Sequence, residues 1–159
     1  MTDDGKRSSD VEVAFIDAPR DLDLQALYAY WDSLRRGRAM PSRADFDPTK
    51  VPKLLRYIVL YTVDGASRYT TRLVGDAIQE FAPHYVAGKA LGAILSEHSA
   101  AIMTQVLDAV VAERAPKYRL GKTHWLKDLT HREFEACFLP LSRDGTAVNI
   151  IVGGIKISP

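Results

Sequence analysis

The sequence has one cysteine, no long apolar run and almost no net charge, and each shortage excludes a class of protein. The single thiol, Cys137, can form neither an intramolecular disulfide nor a structural zinc site, which fits a reducing compartment. No apolar run reaches the roughly 20 residues that cross a bilayer, and residues 1–10 lack the apolar core of a secretory signal. We therefore expect a cytoplasmic protein without a membrane span.

The charge balance argues against a broad nucleic-acid-binding surface. Charged residues make up 26% of the chain and sum to +1, whereas such a surface needs a clustered basic excess. A DNA-associated regulator remains an alternative, since a local basic patch is still compatible with this balance. Apolar residues make up 47% of the 159 residues, enough for one core. The sequence predicts a disordered tail over 1–10 and a single domain over 11–159.

Two segments have the three- and four-residue apolar spacing of amphipathic helices. The first covers 22–37, with Asp21 or Asp23 as N-cap and Gly37 as its stop. The second begins after Ser96 and extends to about residue 113, just before a proline. The apolar stripe of the first helix consists of Leu24, Leu27, Tyr28, Trp31 and Leu34.

Five further segments have the β-branched or alternating composition of strands. They are 57–63, 68–74, 117–124, 133–141 and 147–157. Residues 57–63 are apolar on both faces, so we expect helices on both sides of the sheet. Strands that follow one another predict antiparallel pairing. The predicted fold class is α+β: a five-stranded antiparallel sheet with helices on one face and the N-terminal amphipathic helix on the other. The short run 11–16 could add an edge strand.

A long specific string overlaps the end of the first helix. It reads YWDSLRRGRAMPSRADFDP over 30–48, followed by VPKLL over 51–55, with weaker matches at 72–76 and 88–89. The string resembles the signature of a bacterial PAS-domain subfamily, known mainly from alphaproteobacteria as short single-domain proteins. The order of hairpin, helical connection and three-stranded meander is similar to the PAS layout. The resemblance covers about 22–157, with the PAS core at 57–157.

This resemblance implies a stand-alone sensory or signalling domain. PAS domains bind small molecules or cofactors between the sheet and the helices, and many form homodimers through an N-terminal helix. We therefore expect a homodimer through residues 22–36 and part of the sheet, which binds a small apolar ligand, docks an unidentified signalling partner protein, or does both. The cavity candidates are Tyr69, Leu73, Phe81, Leu95, His98, Ile102, Phe134, Phe138 and Ile150. A packed core is the alternative for the same residues, and an error of one residue in strand parity would exchange half of them.

The cofactor, if there is one, is unknown from the sequence. Some PAS domains bind haem through a histidine of the long helix, where His98 lies, but a histidine at a helix start is commonly a surface residue. Haem is therefore not expected, and neither is flavin, because 84–91 has no cysteine and Cys137 lies in a predicted strand. His84, His124 and His131 do not have metal-ligand spacing, so no metal site is predicted.

Enzyme motifs are missing as well. The chain has no nucleophile elbow, phosphate loop or catalytic carboxylate pair. Glu133 and Glu135 share a strand face, which is typical of a solvated edge. No catalytic residue and no enzyme are predicted, with a small-molecule enzyme on a cone-shaped α+β scaffold as the alternative.

The segment that carries the signature permits two interpretations. Its notable residues are Arg38, Pro41, Arg43, Asp45, Phe46 and Asp47. They could form a recognition surface for an anionic group or an acidic partner. They could instead fix the first helix to the sheet, with Arg43 paired to Asp45 or Asp47 and Phe46 buried. We favour the second interpretation, because a long segment without regular structure needs internal anchors.

Overall fold

An antiparallel sheet with helices on both faces forms the fold in the computed structural model, which describes residues 13–122 and 132–158. The strands are β1 (Phe15–Ile16), β2 (Ile58–Gly65), β3 (Arg68–Val74), β4 (Lys117–Lys122), β5 (Glu133–Leu141) and β6 (Ile150–Ile157). The α-helices are α1 (Leu22–Arg35), α2 (Asp76–Phe81), α3 (Leu91–Ile94) and α4 (Glu97–Glu113), and short 3-10 helices cover Pro48–Lys50 and Leu55–Tyr57. The predicted tail 1–10 lies outside the described residues.

Within the described residues the sheet has six strands in the order β1-β4-β5-β6-β2-β3, which corrects the predicted five by the edge strand that the run 11–16 had left open. The extra strand, β1, pairs Phe15 with Arg119 and Ile16 with Tyr118 at one edge. Two residues are too few to show the alternation by which a strand is identified in a sequence. The other five strands and their antiparallel pairing agree with the prediction.

The two long helices begin at the residues that the capping pattern indicates. The Asp21 carboxylate accepts hydrogen bonds from the backbone N–H groups of Asp23 and Leu24, at 2.8 and 3.1 Å, and so starts α1. The hydroxyl of Ser96 accepts the N–H of Ser99 at the start of α4. Helix α1 ends slightly earlier than predicted, because Arg36 takes the left-handed C-cap conformation with φ 52°.

The sheet separates two buried cores. The cavity-side core lies between the sheet and α2–α4, and the α1-side core lies between the sheet and α1, as the two-sided apolar pattern predicts. Central members of the cavity-side core are Val59, Tyr61, Tyr85, Leu107, Phe138 and Ile151. Central members of the α1-side core are Leu24, Leu27, Trp31, Leu60, Cys137 and Val152. Successive residues of each strand therefore contribute to opposite cores.

Two adjacent glycines in β6 bring both layers close to the sheet. A Cβ on Gly154 would lie 2.7 Å from a methyl carbon of Leu27, on the α1 side. A Cβ on Gly153 would lie 3.1 Å from the Tyr61 ring and 3.4 Å from the Phe138 ring, on the cavity side. Glycine at both positions thus leaves room for side chains from both directions.

Gly75 allows the closest backbone approach in the fold's helical connection. Its N–H donates to the carbonyl of Ile58 at 2.8 Å, and a Cβ there would lie 2.3 Å from the Arg56 carbonyl oxygen. We expect Gly75→Ala to lower the free energy of unfolding by about 1–3 kcal/mol in urea titrations, because backbone atoms must move to admit the methyl group.

Gly92→Ala is the matched control for that substitution. Gly92 lies in α3, and a Cβ there would meet no atom within 4 Å. The alanine should leave stability unchanged or raise it by about 0.4–1 kcal/mol, because it restricts the unfolded chain. Equal stabilities for the two variants would contradict the close approach at Gly75.

Candidate functional site

A cavity of about 80 Å³ lies on the cavity side of the sheet, beside the start of α4. This volume is several times what one water molecule needs. Its apolar wall consists of Leu95, Ile102, Met103, Phe134 and Ile155, and its polar residues are Tyr85, Ser99, Arg119 and Lys122. The cavity therefore joins the long helix to β4, β5 and β6.

Local structure explains why these side chains meet. Leu95 directly follows α3, where Ser96 caps α4, so the chain turns at the cavity wall. Strand alternation directs Phe134 of β5 to the same side as Phe138. Gly121 of β4 lies opposite Phe134, and a Cβ there would be 2.6 Å from the phenyl ring. The absence of a side chain at Gly121 thus makes room for this ring.

The hydroxyl of Tyr85 is hydrogen-bonded to the hydroxyl of Tyr61. The Tyr85 and Tyr61 oxygens are 2.7 Å apart and both are buried. Burial raises the pKa of Tyr85 to about 12 and raises that of Tyr61 well above its ordinary value. Both phenols therefore stay protonated near neutral pH and act as a buried hydrogen-bonded pair rather than as an acid and a base.

Six of the residues that line the cavity were not predicted from the sequence, and Arg119 is the one among them with a buried donor that is unpaired in the described ranges; the others are Tyr85, Ser99, Met103, Lys122 and Ile155. The pairing of Arg119 with Ala136 places it on the cavity side of β4, and its Cζ lies 5.1 Å from the centroid of the Phe134 ring. Its Nε is buried and has no hydrogen-bond partner in the described part of the chain. Burial lowers the pKa of Arg119. The signal in the sequence was an arginine at a core-facing position of an otherwise half-buried strand.

The structure brings most of the predicted cavity residues to one side of the sheet. Tyr69 and Phe138 belong to the cavity-side core, and Phe81 packs against it. Leu95, Ile102 and Phe134 line the cavity itself. The Tyr69 hydroxyl donates to Asp108 of α4 at 2.5 Å, so its polar end is used to hold the helix to β3.

Leu73 and Ile150 face the other way and belong to the α1-side core, which corrects their predicted position. Leu73 pairs with Leu60 while Thr71 pairs with Tyr61, so Arg72 is an extra residue that shifts the register. Such a bulge reverses which face the following residues occupy. Ile150 pairs with Leu141 in strands whose two faces are both apolar, so composition did not reveal the parity there.

The two histidines that the structure describes, His84 and His98, do not line the cavity. Both side chains are exposed. His124 and His131 lie outside the described residues. Within 13–122 and 132–158, no group of three His, Cys, Asp or Glu side chains could hold a metal ion.

The apolar stripe of α1 is buried within its own chain. Leu24, Leu27 and Trp31 are at most 1% exposed against the sheet, and Tyr28 and Leu34 pack beside them. A homodimer through these side chains would require α1 to leave the sheet. The homodimer stays a prediction, and its contact would have to lie elsewhere on a docked α1 or on other elements.

Glu135 anchors the start of α1, so the interpretation as a solvated edge was wrong for this residue, whereas Glu133 is exposed. The Glu135 carboxylate accepts the backbone N–H groups of Arg20 and Asp21 at 2.6 and 2.9 Å. Lys156 adds an ion pair of 2.6 Å to Asp23. Strand β5 is internal to the sheet, so its polar side chains meet the helix above.

The signature segment contributes a buried side chain to each core, Phe46 to the α1-side core and Met40 to the cavity-side core. Arg38 pairs with Asp45 at 2.7 Å, and this hydrogen bond is the main cause that lowers the pKa of Asp45 to about 2. Arg43 donates instead to the carbonyl of Phe46 at 3.0 Å, so the predicted ion pair of Arg43 was wrong. Phe46 is buried as expected.

Two further contacts complete this segment. The Asp47 side chain accepts from the backbone N–H of Thr49 at 3.0 Å and caps a 3-10 helix. The carbonyl of Pro41 accepts the N–H of Ser142 at 3.0 Å, just after β5. The Pro41 bond ties the start of the segment to the chain after β5, and the Asp47 bond orders its end locally, while a recognition role for its arginines stays a prediction.

A family model described as a PAS domain matches residues 20–156, which include all four helices and the strands β2–β5. The match does not reach β1. No curated protein matches the sequence significantly. Of the helices in the described ranges, none has the length and apolar character needed to cross a membrane.

Proposed function

The chain belongs to the PAS-domain family, and from this membership we propose that it senses a small molecule and signals through a separate partner protein. The family supports a sensory or signalling domain in general. The finer proposal is that a small ligand with a large apolar part occupies the cavity beside α4. The protein would act by binding and docking, without catalysis.

The observation that carries this proposal is the cavity itself. Its wall is almost entirely apolar, with a few polar groups, which is the usual composition of small-molecule sites. Side chains around an empty volume lack the dispersion contacts that a packed core provides. A molecule that fills the space would restore these contacts and stabilise the folded state.

The position of the cavity suggests how binding could change the surface. Ile102 and Met103 of α4 form one wall, and Phe134 and Ile155 of the sheet form another. A ligand that contacts both layers favours the arrangement of helix and sheet that fits it best. A partner that recognises this arrangement would then read the occupied state.

The composition of the wall supports a non-catalytic role. A buried acid would be needed for the isomerase-like chemistry that cone-shaped α+β folds can host. Among the residues that the structure describes, no aspartate or glutamate lines the cavity. Its Tyr85 phenol is held in the pair with Tyr61.

The test reduces the cavity volume by substituting a larger side chain on α4. Ile102→Trp adds a large ring at the wall, whereas Ala101→Trp adds the same ring on the exposed face of the helix. Octanol serves as a neutral probe, and its affinity is measured by calorimetry and by the shift in melting temperature. We expect Ile102→Trp to weaken octanol binding at least about tenfold and Ala101→Trp to leave it unchanged.

Two results would contradict the proposal. One is the absence of any probe binding to the wild-type protein, with no retained small molecule in native mass spectrometry. The other is equal binding by wild type and Ile102→Trp, with circular dichroism showing both folded. Either result would move the function toward docking of a partner protein alone.

A further inference from the structure

The cavity contains a cation, Arg119, with a buried side-chain nitrogen. The Nε of Arg119 is buried without a hydrogen-bond partner in the described ranges. A buried donor that is left unpaired costs free energy, and such groups are rare in folded proteins. The oxygens of Tyr85 and Ser99 belong to the same cavity, and in the described part of the chain neither accepts a hydrogen bond from this Nε.

The described neighbours of Arg119 explain why its Nε has no partner among them. Across the strands it faces Ala136 on one side and Phe15 on the other, and neither side chain can accept a hydrogen bond. The nearest same-face residues of β4 are Lys117 and Gly121. Lys117 pairs with Glu113 of α4 at 2.7 Å, so this carboxylate is bound to another cation.

The guanidinium group is nevertheless held in place. It stacks on Phe134 with 5.1 Å between Cζ and the ring centroid. A Cβ on Gly121 would lie 2.9 Å from its Nη2, so the glycine makes room for it as well as for the ring. A cation fixed before binding loses little conformational entropy when an anion arrives.

The remaining lining residues indicate the chemistry of the part of the ligand that does not contact Arg119. The apolar wall beyond Arg119 is formed by Leu95, Ile102, Met103 and Ile155, and Lys122 adds a second cation to the lining. An arginine fork matches a planar carboxylate, and its charge persists when it is partly buried. We propose that the cavity binds a small amphipathic carboxylate, with its head group on Arg119 and its aliphatic body between α4 and the sheet. This inference rests on the proposed function, in which the cavity takes a small ligand.

Three probes with the same tail separate the head group from the body. Octanoate, octanol and octylamine are titrated into the full chain by calorimetry at neutral pH, with shorter and longer alkanoates to find the chain length that fits. We expect wild-type protein to bind octanoate about tenfold to a hundredfold more tightly than octanol, because the charged hydrogen bond adds to the same apolar burial. Octylamine should bind most weakly.

Arg119→Met removes the charge and keeps an unbranched side chain that packs on the Phe134 ring. We expect it to lower octanoate affinity by the same tenfold to hundredfold and to leave octanol affinity unchanged. Arg119→Lys should retain part of the preference for octanoate. Arg68→Met is the matched control for net charge, because Arg68 is exposed on β3, and it should change neither affinity.

The outcomes separate the two proposals. If octanol binds as tightly as octanoate, or if Arg119→Met leaves octanoate affinity unchanged, the carboxylate inference is overturned while the cavity remains a ligand site. If none of the probes binds wild-type protein, both this inference and the proposed function are overturned. If the folded Arg119→Met variant loses octanoate affinity and keeps octanol affinity, the result supports both the carboxylate inference and the proposed function.

Discussion

Trp31→Ala is expected to lower the free energy of unfolding by about 3–5 kcal/mol, as measured by urea titration with circular dichroism. The indole is fully buried between α1 and the sheet, and its Nε1 donates to the carbonyl of Pro140 at 2.8 Å. The ring centroids of Tyr28 and Trp31 are 5.8 Å apart, and the Cζ of Arg35 lies 5.1 Å from the centroid of the indole ring. Removing the ring leaves a cavity and an unpaired carbonyl at the centre of the α1-side core.

Two further variants divide this loss into its causes. Trp31→Phe keeps an aromatic ring but leaves the Pro140 carbonyl without its donor, and should cost about 1–3 kcal/mol. Leu22→Ala is the matched control in the same helix, because Leu22 is 79% exposed, and should stay within about 0.5 kcal/mol of wild type. A Trp31→Ala protein as stable as Leu22→Ala would mean that α1 is not docked in solution.

Cys137 should react with a thiol reagent at least about a thousandfold more slowly in the native protein than in urea. Burial raises the pKa of its thiol from 9.0 to about 12, and each unit lowers the reactive thiolate about tenfold. The sulfur lies beneath α1, where a Cβ on Gly154 would be 3.3 Å from it. Labelling followed by absorbance at neutral to mildly alkaline pH measures the rate.

The same measurement reports when α1 leaves the sheet. Because the helix covers the thiol, native labelling requires a local or global opening. Trp31→Ala should therefore raise the native labelling rate by two orders of magnitude or more and leave the rate in urea unchanged. Rapid labelling of wild-type protein without denaturant would contradict a buried Cys137. No change in Trp31→Ala would show that the opening does not involve α1.

The sequence predicted the long elements well because their signals are local. Asp21 and Ser96 are N-caps as expected, and the apolar spacing of α1 places Leu24, Leu27 and Trp31 on one buried face. Each signal depends on residues within one or two turns of the chain. The family follows from the signature string and the order of elements together.

The errors have a common physical origin in long-range structure. Alternation along β3 is reset at Arg72, so Leu73 changes face without any change in composition. Charge partners depend on the folded arrangement, which is why Arg38 rather than Arg43 binds Asp45 and why Glu135 reaches α1. Arg119 was missed for the same reason: its importance lies in the acceptors that surround it, and these come from other strands.

The glycine pair in β6 has a mechanical consequence. At Gly153 and Gly154 only the peptide backbone of β6 separates the two cores. Aromatic rings pack on one side of this backbone, and the leucines of α1 pack on the other. Protein interiors are densely packed and compress little. If this part of β6 moves perpendicular to the sheet, the volume of one core therefore increases by as much as the volume of the other decreases. The volume available between α4 and the sheet is in this way coupled to how closely α1 packs on the opposite face.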